Sequence, residues 1–272
     1  MVNIMKIRAA MSNDKATVLE FCKDTFSWGD YVADVWDRWQ SKGRLHVVED
    51  DGKVVGVYNL AIFEKQAWIE GMRVHPQYRR KGLGKSMLLH AESIIQNKII
   101  RLIIESENHH SIRLAGSMGY YLEEKWQLYS MPAEKQSSDI KTANDILQIK
   151  DLVNSVTYAD SWKWFPLDNE ELGKLIEQER VVISVANGVS MAMGIWNRYT
   201  DFPKVLQIGY LNGTKDGMIQ ILRYIQNKAY ELNCERVQIF VHEKTSLDAS
   251  FLDKRSLFYL MRKDKNQRDD KI

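Results

Sequence analysis

Cysteine is scarce in this chain of 272 residues: Cys22 and Cys234 stand far apart, and there is no C-x-x-C. That spacing excludes a disulfide framework and a cysteine-based zinc site. Each thiol is expected to be buried, in a reducing compartment. Long apolar runs are also missing. None reaches the roughly 18 residues of a membrane span, and the N-terminus lacks the apolar stretch of a secretory leader, so the expectation is a cytoplasmic protein with no membrane partner. Charge of one sign is lacking too, with 38 basic against 36 acidic residues spread along the chain. Without a basic stripe, nucleic acid is not an expected partner. His90, His109, His110 and His242 have no metal-ligand spacing, and no metal is expected.

What is present suits a soluble protein of two domains, since the length exceeds what one compact domain needs. Eight Trp and twelve Tyr are many for this length, and rings with one apolar and one wet side are favoured on concave surfaces. Alternation and helical periodicity predict a strand over 5–11, helices to Phe26 and over 30–39, strands over 45–48, 54–62 and 67–74, a helix over 84–97, a strand over 99–104, a helix over 109–118 and a strand over 120–131. Strand 67–74 is expected to place Trp68, Glu70, Met72 and Val74 on one face. The polar stretch 135–141 is a linker between domains 1–134 and 142–265. Beyond it, helices are predicted over 143–154, 169–178 and 216–232, a hairpin over 181–196, and strands over 205–211, 236–242 and 257–261, with a solvated tail over 263–271. The order helix, hairpin, strand, long helix, strand occurs twice, which predicts a structural duplication. The fold class is α/β, each half a mixed, mostly antiparallel sheet flanked by helices.

The most informative stretch is Val74-His75-Pro76-Gln77-Tyr78-Arg79-Arg80-Lys81-Gly82-Leu83-Gly84-Lys85-Ser86. A strand ends, a basic turn follows, and a helix begins. The first amides of a helix have no intrahelical partners and its dipole places positive charge there, which makes an anion site. Gly82 and Gly84 would let a phosphate approach the backbone, and Arg79, Arg80, Lys81 and Lys85 would compensate its charge. The G-x-x-x-x-G-K-[ST] and G-x-G-x-x-G phosphate loops are absent.

This stretch resembles the signature of the GNAT superfamily of acyl-CoA-dependent N-acetyltransferases, R/Q-x-x-G-x-G/A after a strand ending V-x-P, which stands here as Arg79 to Gly84. A second family motif, Asn followed by a short helix and Gly-aromatic, reads Asn108 to Gly119-Tyr120. The resemblance implies that Met72, Arg73 and Val74 lie along the pantetheine arm of acetyl-CoA, pairing through the amides of Met72 and Val74. It implies that residues 79–85, Leu83 included, wrap the pyrophosphate, and that Asn108 touches the cofactor near its reactive end. Where many members carry a tyrosine as general acid, the sequence has Ala115, so Tyr120, Tyr121, another residue or none takes that role.

Acetyl transfer needs the acceptor amine to lose a proton. Glu70, four residues before Val74 and beside Trp68, is the candidate base. Asp30, Tyr31 and Trp36, with Trp39, fall in the segment that shapes the acceptor pocket in this superfamily, although Trp36 and Trp39 suit core packing equally well. Trp162, in the cluster Tyr158, Asp160, Trp162 and Trp164, is placed on the acceptor side, closing over the first domain's cleft. The second half lacks the signature. Its corresponding turn, Leu211 to Gly217, has lost the basic residues and carries Asp216, so it is expected not to bind acetyl-CoA. The expected reaction is direct transfer to a primary amine of a small molecule or amino acid by a monomer or homodimer. The alternatives are a protein lysine or N-terminal acetyltransferase and a non-catalytic acetyl-CoA sensor.

Overall fold

The computed structural model describes residues 5–26, 29–96, 99–199 and 202–265. The chain divides into two compact units: residues 1–103, 108–121 and 261–272 form the first, and 104–107 and 122–260 the second.

In the first unit, β1 (Lys6–Ala9) leads through α1 (Lys15–Cys22) and α2 (Val32–Ser41) to β2 (Leu45–Asp50), β3 (Lys53–Ile62) and β4 (Ala67–Val74). The helix α3 (Leu83–Ile94), β5 (Ile99–Glu105) and α4 (His109–Ser117) follow. The strands lie in the order β1-β2-β3-β4-β5. Only β4 and β5 run parallel, and they register over two positions, Ala67 with Ile100 and Trp68 with Arg101. Beyond Trp68 the outer edge of β4 has no β5 partner among the described residues. The apolar stripe of α2 (Val32, Val35, Trp36 and Trp39) is buried as its spacing requires.

The strand β4 departs from simple alternation. Asn59 faces Glu70, but Val57 faces Arg73, so Gly71 and Met72 together oppose Tyr58. Gly71 takes a left-handed φ of 63° there, which glycine adopts at little cost. A Cβ at Gly71 would lie 2.5 Å from the Trp39 ring. The extra residue turns the strand, so Glu70 shares a face with Arg73. Met72 and Val74 are on the other face, that of Tyr58, which reaches His90 of α3. The expectation of one face for Glu70, Met72 and Val74 is corrected accordingly.

The second unit begins with β6 (Tyr121–Pro132), whose first residue belongs to the first unit. It continues through β7 (Lys141–Thr142), the hairpin β8 (Thr157–Asp160) and β9 (Lys163–Pro166), α5 (Asn169–Glu177), β10 (Val181–Ala186), β11 (Val189–Arg198), β12 (Val205–Gly213), α6 (Lys215–Glu231) and β13 (Arg236–His242). The last strand, β14 (Asp253–Asp264), ends in residues of the first unit. The unit's main sheet follows the order β14-β6-β13-β12-β11-β10-β7. Its apolar core packs Leu206, Ile208 and Leu211 against Met218, Ile221, Leu222 and Ile225 of α6.

Three sequence expectations change. Residues 143–154 form two single 3-10 turns, not a helix, because the Asp145 carboxylate takes the Leu147 amide and the Gln148 side chain takes that of Asn144. The β8–β9 hairpin was not foreseen. Its two-residue turn is Ser161-Trp162, both left-handed at φ 53° and 61°, where Asn or Gly would normally signal it. The tail is ordered to Lys265, where Lys263 pairs with Glu92 and Lys265 caps the end of α3 through the Glu92 and Ile95 carbonyls. Residues 266–271 of that tail lie outside the described residues.

Candidate active site

The turn after β4 leaves the N-terminus of α3 open. His75 closes the strand through its amide to Val55, and residues 76–78 make one 3-10 turn. Arg80 and Gly82 both take left-handed φ, 61° and 82°, and Gly82 is the residue that caps α3. A Cβ on Gly82 would meet nothing within 4 Å. Arg79, Arg80, Lys81 and Lys85 are exposed around it. Arg79 folds back to donate to the Val74 carbonyl at 3.2 Å, and the Lys81 ammonium sits 4.7 Å from the centre of the Tyr78 ring. The glycines differ in role: a Cβ on Gly84 would stand 2.9 Å from Leu114 Cδ2, so Gly84 lets α4 pack close to α3, while Gly82 keeps the helix end open.

The unpaired edge of β4 beyond Trp68 holds the Met72, Arg73 and Val74 backbone alongside. An extended polar chain could pair there as a strand does. Asn108 caps α4, its carbonyl oxygen accepting from the Ser111 amide at 3.1 Å, and it is exposed. Ala115 is buried within α4. The Tyr120 hydroxyl is buried beside Glu92, and both burial and that carboxylate push its pKa up. The Tyr121 hydroxyl donates to Asp264 at 2.7 Å.

On the other face of β4 a second cluster forms. Arg73 donates to Asp30 at 2.6 and 3.3 Å and to the Met72 carbonyl. Its guanidinium lies 5.1 Å from the centre of the Phe26 ring and 5.3 Å from that of Tyr31. Asp30 is almost wholly buried and also caps α2 through the Val32 amide. Burial pushes the Tyr31 hydroxyl pKa up against the pull of Arg73, with Glu70 and Asp30 adding to the rise. Burial likewise lifts the Cys22 thiol to about 12, so it stays neutral. Asp30, Tyr31, Arg73 and Glu70 are thus brought together. Glu70 accepts from Asn59 at 2.8 Å. Trp36 is fully buried and presents no surface. Trp162 donates its indole N–H to Gln238 and packs on Phe240 and Phe258, all within the second unit.

The sequence reading missed Asn59, Phe26 and Cys22. Asn59 could have been found by counting. The β3–β4 turn closes with Ile62 opposite Ala67, and three steps back along each strand reach Asn59 and Glu70.

Residues 14–120 match the family model described as the acetyltransferase (GNAT) family. This segment is similar to that family over its whole matched length. No curated protein matched the chain by sequence. Solved structures extend the likeness of fold over both units. A GCN5-related N-acetyltransferase from Sphaerobacter thermophilus is 15% identical with a TM-score of 0.64, over 96% of this chain and 95% of that one. A putative acetyltransferase from Thermoplasma acidophilum is 17% identical with a TM-score of 0.61, over 96% and 100%. A tandem GNAT protein from the clavulanic acid biosynthesis pathway is 13% identical with a TM-score of 0.54, over 96% and 98%. The chain therefore has the α/β architecture of two GNAT-like domains, and the turn before α3 lies within the segment matched by the family model. No helix among the described residues is long and apolar enough to cross a membrane.

Proposed function

We propose that the protein transfers the acetyl group of acetyl-CoA to a primary amine of a small molecule or amino acid, within the GNAT domain and by direct attack. The observation that carries this reading is the open N-terminus of α3, where left-handed Gly82 and four exposed cations surround helix amides without intrahelical acceptors. Residues 79–85 hold the pyrophosphate. The edge of β4 at Met72 to Val74 holds the pantetheine arm. Asn108, its carbonyl engaged in the cap, keeps its side-chain N–H groups for the region near the thioester.

In the reaction the amine nitrogen bonds to the thioester carbonyl carbon, and the bond from that carbon to sulfur breaks. Glu70 takes the ammonium proton before attack. The nitrogen of the tetrahedral intermediate gives its second proton to solvent, and coenzyme A leaves as the thiolate and takes a proton from solvent, since Ala115 offers none, the Tyr120 hydroxyl is buried beside Glu92 and the Tyr121 hydroxyl is held by Asp264. The second unit takes no acetyl-CoA and acts on the acceptor side or on stability. The protein works in the cytoplasm as a monomer or homodimer.

The second reading, a non-catalytic acetyl-CoA sensor, draws its support from Ala115. One experiment tests both. Calorimetry with coenzyme A is followed by thiol release from acetyl-CoA over a panel of the twenty L-amino acids, spermidine and tyramine. Binding with turnover of one or more amines is expected. Binding without turnover favours the sensor, and no binding removes the assignment altogether.

A further inference from the structure

The Glu70 cluster contains one atom left over by its own hydrogen bonding. Asn59 is 3% exposed, and its Nδ2 donates to Glu70 Oε1 at 2.8 Å. A carboxylate only accepts, so the amide must offer nitrogen to it, and this fixes its orientation. The Oδ1 atom is then a buried acceptor with no hydrogen-bond partner. Such an atom costs stability unless a donor reaches it. Among the described residues no group donates to it. Arg73 is committed to Asp30 and the Met72 carbonyl, and Asp30 also holds the Val32 amide. Two acceptor groups, the Glu70 carboxylate and the Asn59 carbonyl, therefore stand side by side on the α2 face of β3 and β4. A group rich in N–H donors matches that pair, and a carboxylate or phosphate does not.

We propose that Asn59 Oδ1, together with Glu70, receives the ammonium group of the acceptor, and that Asn59 is thereby a binding residue for a primary amine. The assignment rests on the proposed transfer to a primary amine. An ammonium carries three N–H donors: one directed to Glu70 is transferred before attack, another held by Asn59 keeps the nitrogen in place as it becomes nucleophilic, and a second proton leaves the tetrahedral intermediate for solvent. The product amide retains a single N–H, so the grip weakens after transfer and favours release.

The test uses the full chain and the best amine from the panel. Asn59→Leu keeps the shape and removes both polar atoms. It is expected to raise the amine KM at least tenfold, with the acetyl-CoA KM within twofold of the original. Asn59→Thr, which retains one accepting oxygen, should raise the amine KM by about threefold, and it decides the question if Asn59→Leu fails to fold. An unchanged amine KM in a folded variant, or amine and acetyl-CoA KM values rising together, overturns the proposal. Glu70→Gln separates the two assignments. If it keeps full kcat while the Asn59 variants still raise the amine KM, the base reading fails and the ammonium site stands. If the protein binds coenzyme A but turns over no panel amine, both fall.

Discussion

The two units meet the same architectural problem at one strand and resolve it in opposite ways. Matching β4 to β12 by the face that meets the following helix aligns Ile69 with Ile208, Met72 with Leu211 and Val74 with Gly213. Each strand carries one extra residue between these positions. On that alignment Glu70 corresponds to Gly209, Arg73 to Asn212, and Asn59 to Ile195. A Cβ on Gly209 would overlap the Ala159 carbonyl oxygen of β8, so the backbone of the β8–β9 hairpin occupies the place where the first unit holds its carboxylate. Asn212 is spent on the Leu152 carbonyl and the Thr245 hydroxyl. The helix ends differ in the same sense. Gly82 faces open space, whereas Gly213 and Gly217 are pressed against Met191 and Ala192 of β11, and Thr214 caps α6 with its own hydroxyl. A fold can thus be kept while the side chains on one strand face change, with a hairpin filling that face of β12 and a cap closing the N-terminus of α6.

The largest expected effect breaks the comparison at its centre. Glu70→Gln should lower kcat about a thousandfold, within the range that general bases contribute, and leave coenzyme A binding unchanged by calorimetry. A loss of binding in parallel would mean that Glu70 holds the strand together rather than the proton.

Next in size is Gly209→Ala. Its methyl group cannot be accommodated without moving β8, so a cost of about 3 kcal/mol or more is expected from overpacking against backbone, read as a lower urea midpoint. Gly82→Ala enters open space and pays for the left-handed φ alone, about 1–2 kcal/mol. If both variants cost the same, the hairpin does not sit on Gly209 as described.

The charge contrast gives a smaller effect. Arg79→Glu with Arg80→Glu should weaken coenzyme A binding about a hundredfold, the loss expected of charge-assisted phosphate contacts. Asp216→Ala in the second unit should change it less than twofold. A large effect at Asp216 would return the second unit to the list of acetyl-CoA sites.

The legible parts of the molecule were those where local chemistry and tertiary role coincide. The strand, Pro76, the basic residues and the glycines announce the cradle because each acts within a few residues of its neighbours. The bulge at Gly71 leaves no trace in the alternation, and so Glu70 was placed on the wrong face although its neighbours were correctly read as a strand. The β8–β9 hairpin hid because the packing of Trp162 on Phe240 and Phe258, distant in sequence, sustains a left-handed turn that Ser and Trp do not favour locally. The Asp30–Arg73 pair joins residues 43 apart in sequence, and no local pattern signals such a partner.

The smallest predicted difference is one of acid sensitivity. His46 and His90 in the first unit and His242 in the second all have their pKa lowered by burial, with Glu124 opposing the shift only at His242. A buried neutral imidazole leaves the unfolded chain as the stronger proton binder. Stability is therefore complete above the ordinary imidazole pKa of about 6.5 and drains away as pH falls below it towards the depressed folded value. The first unit has two such groups, in contact through ring packing and the Tyr58 hydroxyl, and among the described residues no carboxylate opposes the shift at either as Glu124, 3.5 Å from His242 Nε2, does there. Urea midpoints between pH 7 and 5 should consequently fall less steeply in the double variant His46→Gln, His90→Gln than in the parent chain. His242→Gln should flatten the decline less. Equal slopes in all three proteins would show that carboxylates, not these imidazoles, govern the acid limb. A steeper decline in the double variant would reverse the sign assigned to burial at His46 and His90.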